Sequence, residues 1–83
     1  MNITLRYFAS VREAIGTDQE AVVTQAGDIA QLRRELMARS PQHHDALAGG
    51  KAIRVALNQL ACREDAVLND GDEVAFFPPV TGG

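Results

Sequence analysis

Apolar and polar residues alternate from the start of the chain. Ile3, Leu5 and Tyr7 fall on one side and Asn2, Thr4 and Arg6 on the other, which predicts a strand over residues 2–7 with one buried face. Phe8, Val11 and Ile15 follow at helical spacing, with Ser10 as a candidate cap and Gly16 as a terminator. A helix this short, over 8–16, persists only by packing. Residues 20–24 carry Val22 and Val23 between Gly16-Thr17-Asp18 and Ala26-Gly27-Asp28, and suit a second strand hairpin-paired to the first.

The clearest helix begins at Asp28, whose carboxylate can accept the free N–H groups of a first turn, with Gln31 as its capping-box partner. Ile29, Leu32, Leu36 and Met37 form one stripe, Arg33, Arg34 and Arg39 lie towards the end where the helix dipole favours cations, and Ser40-Pro41 stops the helix. Residues 42–51 read as a polar connection with a single helical turn around Asp45 to Ala48, followed by Gly49-Gly50. Alternation resumes at Ile53, Val55 and Leu57, and Asn58-Gln59 suits a turn into a short strand from Leu60 to Cys62. Asn69-Asp70-Gly71-Asp72 then turns the chain into a last strand, Glu73 to Phe77, ended by Pro78-Pro79.

This order leaves one long helix to cover one face of a sheet. It implies an α+β domain of the β-grasp, ubiquitin-like type: a mixed sheet of about five strands with one main helix on one face, the first and last strands running parallel. The expected organisation is one domain over 1–83 with a flexible C-terminal tail at 78–83. With 46% apolar and 23% charged residues the chain should fold, but at 83 residues its thin core encloses no internal active-site cavity. The net charge of -3 offers no attraction to phosphate backbones or anionic lipid, so neither nucleic acid nor membrane is an expected partner. A single cysteine and the lack of a signal peptide or spanning segment point to the cytoplasm.

Catalytic motifs are missing. Gly49-Gly50 has no Lys-Ser/Thr partner to make a phosphate cradle, and His43-His44 read as exposed loop residues because no second Cys or His completes a metal site. Cys62 reads as an inert, partly buried thiol, and Glu64-Asp65 and Asp70-Asp72-Glu73 as solvated turns. No active site and no bound cofactor or metal is expected.

The informative chemistry is at the end, Phe76-Phe77-Pro78-Pro79-Val80-Thr81-Gly82-Gly83. Pro78-Pro79 stiffens the exit, so Val80 to Gly83 is held out from the sheet. Gly82 and Gly83 lack side chains and can thread a channel too narrow for other residues. What such an arm delivers is the α-carboxylate of Gly83, ionised at neutral pH with an ordinary pKa of about 3.3–3.7 and a poor electrophile until activated. Activation as an acyl adenylate by a separate ATP-using enzyme would let a sulfur donor leave a thiocarboxylate. Phe76 and Phe77 point to opposite faces, so one joins the core and the other makes an apolar patch beside Pro78, Pro79 and Val80. Phe8 and Arg12 border the same region if the first and last strands pair.

These residues, with Tyr7-Phe8-Ala9-x-Val11-Arg12-Glu13, Gly16-Thr17, Val55-Ala56-Leu57-Asn58 and Asp70-Gly71-Asp72-Glu73-Val74-Ala75-Phe76-Phe77-Pro78-Pro79-Val80, give a chain that resembles the small subunit of molybdopterin synthase, the MoaD-type sulfur carriers of molybdenum cofactor biosynthesis. The resemblance implies that Gly83 is adenylated by a MoeB-type adenylyltransferase and converted to a thiocarboxylate (1-thioglycine). The tail then enters a MoaE-type large subunit, where sulfur passes to cyclic pyranopterin monophosphate. Two carriers and two large subunits form a heterotetramer in that family. By the same resemblance Thr81, Gly82 and Gly83 are the functional tail, Phe76, Pro78, Pro79 and Val80 an apolar collar, and Phe8 and Arg12 interface residues. Arg6 departs from the apolar residue common there. The alternatives are a ThiS-type or tRNA-thiolation sulfur carrier, a ubiquitin-like protein modifier, or a non-covalent binding module.

Overall fold

The computed structural model describes residues 1–48 and 52–79. The chain runs β1 (Asn2–Tyr7), α1 (Ala9–Ile15), β2 (Gln19–Val23), α2 (Ile29–Arg39), α3 (Pro41–Leu47), β3 (Arg54–Leu57), β4 (Leu60–Ala61), β5 (Glu73–Phe77). One mixed sheet has the order β2-β1-β5-β3-β4. β1 and β5 pair in parallel, and β1–β2, β5–β3 and β3–β4 are antiparallel. The last strand made is therefore the central one, hydrogen-bonded on both sides.

Alternation decides the layers. Ile3, Leu5 and Tyr7 of β1, Val22 of β2, Val55 of β3 and Val74 and Phe76 of β5 are buried on one face. Ile29, Leu32 and Leu36 of α2, Ala46 and Leu47 of α3 and Val11 of α1 close the same core. Asp28 caps α2 as the sequence requires, its Oδ1 accepting from the Gln31 amide at 2.9 Å. The return bond goes from the Gly27 amide to Gln31 Oε1 at 2.8 Å, one residue earlier than in a standard capping box. Gly16 ends α1 at φ 93°, a left-handed conformation that disfavours any residue with a Cβ. Asn58 and Gln59, at φ 51° and 71°, make the tight β3–β4 turn.

Three expectations are corrected. Ser10 lies inside α1, whose N-cap is Phe8 with no side-chain bond. The polar connection is instead α3, a second helix. Ser40 ends α2 and caps α3 by accepting from the His43 amide at 3.1 Å, and Pro41 supplies the first residue, where its missing N–H costs nothing.

His43 is consequently buried rather than exposed. Its Nε2 lies 2.8 Å from Glu20 Oε2 and its Nδ1 2.7 Å from Ser40 Oγ. Tyr7 donates its hydroxyl to the same Glu20 oxygen at 2.8 Å, and Arg39 reaches Glu20 Oε1 at 3.3 Å. Burial alone would raise the Glu20 carboxyl. Hydrogen bonds from His43 and Tyr7, with the charges of His43 and Arg39, outweigh it and hold the group below its usual range. Burial and the Glu20 bond raise the Tyr7 phenol. This cluster ties β1, β2, α2 and α3 together, and its groups are occupied with one another.

Candidate functional site: the open sheet face at the chain exit

Among the described residues the other face of the sheet carries no helix. β5 sends Val74 and Phe76, both fully buried, into the core and Glu73, Ala75 and Phe77 to the open side. Register sets the neighbours: Arg6 of β1 lies beside Ala75, Ala75 beside Ala56 of β3, and Ala56 beside Ala61 of β4. The three alanines make a low floor. Arg6, Phe8, Gln59, Glu73 and Phe77 stand around it and enclose a groove of about 660 Å³ with mostly apolar walls.

Phe8 sits at the rim because its amide donates to the Phe76 carbonyl at 3.2 Å, which holds the start of α1 against the end of β5. The residue is 42% exposed, a large apolar side chain for a small domain to leave in water. Pro78 is half-buried and Pro79 exposed where the chain leaves the sheet. Phe8, Phe77, Pro78 and Pro79 thus form one apolar shoulder at the exit. Val80, Thr81, Gly82 and Gly83 lie outside the described residues.

The expected collar is corrected at one position. Phe76 is not on this face: it is fully buried, stacked on Tyr7 with ring centres 6.5 Å apart, and Phe77 takes the outward place. Arg12 is exposed on α1 and does not line the groove. Arg6, Phe77 and the alanine floor were missed as site residues. The signal for Phe77 was its spacing from charged Glu73, two and four residues along with Ala75, whereas Val74 and Phe76 share the apolar side.

The other candidate groups among the described residues are paired, packed or held in turns. Among the described residues no three His, Cys, Asp or Glu side chains could hold a metal ion. Burial, with Asp65 nearby, raises the Cys62 thiol against the lowering effect of a backbone bond at Leu57, as for an inert cysteine. Asp70 and Asp72 serve turns, accepting from the Asn2 amide at 2.6 Å and the Asn69 amide at 2.7 Å. Glu64 is exposed and pairs with Arg33 at 2.9 Å. What the face offers is an open, mostly apolar groove beside the point where β5 leaves the sheet.

Comparison with known proteins agrees with that geometry. The ThiS family matches residues 5–83. The molybdopterin synthase sulfur carrier subunit of Escherichia coli is 46% identical over 81 residues, 98% of this chain and 99% of that protein. Among solved structures, SAMP1 from Haloferax volcanii superposes with a TM-score of 0.77 at 25% identity over the whole of both chains. A chain of the Helicobacter pylori complex of subunits 1 and 2 of molybdopterin-converting factor superposes at 0.68 and 25%, again over the whole of both. The central parallel strand, the helix-free face and the full-length match lead to one assignment: the chain belongs to the ThiS family, among the molybdopterin synthase sulfur carrier subunits.

Proposed function

We propose that the protein carries sulfur as a C-terminal thiocarboxylate on Gly83 and delivers it within a complex with the large subunit of molybdopterin synthase. The observation that carries this reading is the position of β5. Being central, it fixes the exit at Phe77-Pro78-Pro79, directly beside the apolar groove, so a partner that covers the groove lies next to the point from which residues 80–83 continue. The complex of subunits 1 and 2 of molybdopterin-converting factor supports a large-subunit partner.

The chemistry follows from the carboxylate. A Gly83 oxygen attacks the α-phosphate of ATP in a MoeB-type adenylyltransferase, pyrophosphate leaves, and the acyl adenylate presents an electrophilic carbonyl. A sulfide-equivalent nucleophile displaces AMP and leaves the thiocarboxylate. In the large subunit that sulfur would form a carbon–sulfur bond to cyclic pyranopterin monophosphate as a carbon–oxygen bond at the same carbon breaks and the oxygen leaves. Water would then hydrolyse the resulting thioester, leaving the sulfur on the pterin and returning the Gly83 carboxylate for another round. The same groove would meet the activating enzyme and the large subunit in turn. The chain's own part is binding and aiming, which suits a groove that is open on one face of the sheet. Among the described residues no helix is long and apolar enough to cross a membrane.

Incubation with ATP, the cognate activating enzyme and a sulfur source, followed by intact mass measurement, tests the reading. The expected gain is that of one oxygen replaced by sulfur, confined to the last peptide. A chain extended by one alanine after Gly83 should gain nothing. An unchanged wild-type mass with a demonstrably active enzyme overturns the proposal, and a ladder of adducts on other proteins would indicate a protein modifier instead.

A further inference from the structure

The open face holds an arrangement that a simple apolar docking surface does not require. The Arg6 guanidinium lies 5.5 Å from the centre of the Phe8 ring. Its Nη1 stands 3.8 Å from Glu73 Oε1, too far for a hydrogen bond. Its Nε is buried and has no hydrogen-bond partner among the described residues. A guanidinium offers five N–H donors in a rigid planar fork. Here the fork is held by a ring and a carboxylate and satisfied by neither. The Arg6 side chain nonetheless keeps 36% of its surface exposed, so its outer edge is open to an incoming acceptor.

The surroundings favour an anion. On β1, β3, β4 and β5 the charged residues of this face are Arg6, Arg54 and Glu73. Arg54 lies across from Phe77, is exposed, and makes no ion pair among the described residues. A chain of net charge -3 therefore presents a locally cationic face at its exit. Beside Arg6 the alanine floor leaves the groove open among the described residues.

We propose that the partner docking here presents an Asp or Glu side chain to Arg6, next to a bulky apolar side chain seated on Ala75, Ala56 and Ala61. A carboxylate supplies two acceptors matched to the guanidinium fork, where a backbone carbonyl supplies one. Arg6 is then a specificity residue: it rejects partners whose matching position is apolar or basic, because their binding would cover an unpaired charge. The inference rests on the reading that this face docks the synthase large subunit.

The test is calorimetric titration of the large subunit from the same genome with the full-length chain, Arg6→Gln and Arg6→Leu, at low and high salt. Both variants should bind about fivefold to tenfold more weakly at low salt and lose much of the salt dependence, with melting temperatures close to wild type. A charge reversal, Arg6→Glu, should be rescued by an Asp→Lys or Glu→Lys change at the facing position of the large subunit. Wild-type affinity and salt slope in both neutral variants would overturn the carboxylate proposal and leave the docking reading standing. Failure of the wild-type chain to bind overturns both.

Discussion

Truncating Phe76 and Phe77 separately tests which side of β5 holds the fold and which meets a partner. Phe76 is fully buried, stacks on Tyr7 and is in register with Val55, so Phe76→Ala opens a cavity lined from three strands. Such a change costs about 3–5 kcal/mol. A chain of 83 residues has a total stability on the order of 4–12 kcal/mol, so the loss is a large part of the whole. At about 4–8 °C per kcal/mol for a domain of this size, the melting temperature should fall by at least about 12 °C. Phe77 is half-exposed on the open face, and Phe77→Ala should cost the fold less than about 1 kcal/mol. As an aromatic anchor at the groove it should weaken large-subunit binding about thirtyfold, the equivalent of about 2 kcal/mol. Circular dichroism melts and calorimetric titration of both variants read the two effects. The reasoning is refuted if Phe76→Ala melts within a few degrees of wild type yet loses binding while Phe77→Ala binds normally.

Glu20→Gln should reduce stability by about 1 kcal/mol at pH 7. The folded carboxyl titrates below its ordinary value of 4.5, so its contribution is complete above that pH and is lost as pH falls through the lower folded value. In urea unfolding the gap between wild type and Glu20→Gln should therefore narrow as pH falls below 4.5, and a gap constant with pH would contradict the assigned network. Gly16→Ala should cost about 1–2 kcal/mol, since a Cβ there meets nothing within 4 Å and the penalty is purely that of φ 93°. A wild-type melting temperature would mean that α1 does not end in a left-handed residue.

Much of the architecture was legible because the chain states it locally. β1 has strict alternation, α2 has a cap, a stripe and a stop, and the β3–β4 and β4–β5 connections carry turn residues. α3 was hidden because Pro41-Gln42-His43-His44-Asp45 has too little apolar periodicity, and Ser40-Pro41 was read as an end when it is equally a beginning. The burial of His43 was not legible: it depends on Glu20, 23 residues away, supplying a partner for the ring. The location of the site could be read from the end of the chain, but its side-chain identities could not. Arg6, Ala56, Ala61 and Ala75 become neighbours only through strand pairing across the sheet, and no short-range pattern marks them.

The central place of β5 also governs how the molecule is born. On the ribosome β1 and β2 can meet early as a hairpin, but the far edge of β1 and the near edge of β3 have nothing between them until residues 73–77 emerge. A message cut short before that point yields a polypeptide with two open strand edges, a substrate for proteases and aggregation. Maturation thus includes its own proofreading: translation must pass residue 77 before the sheet can close between β1 and β3.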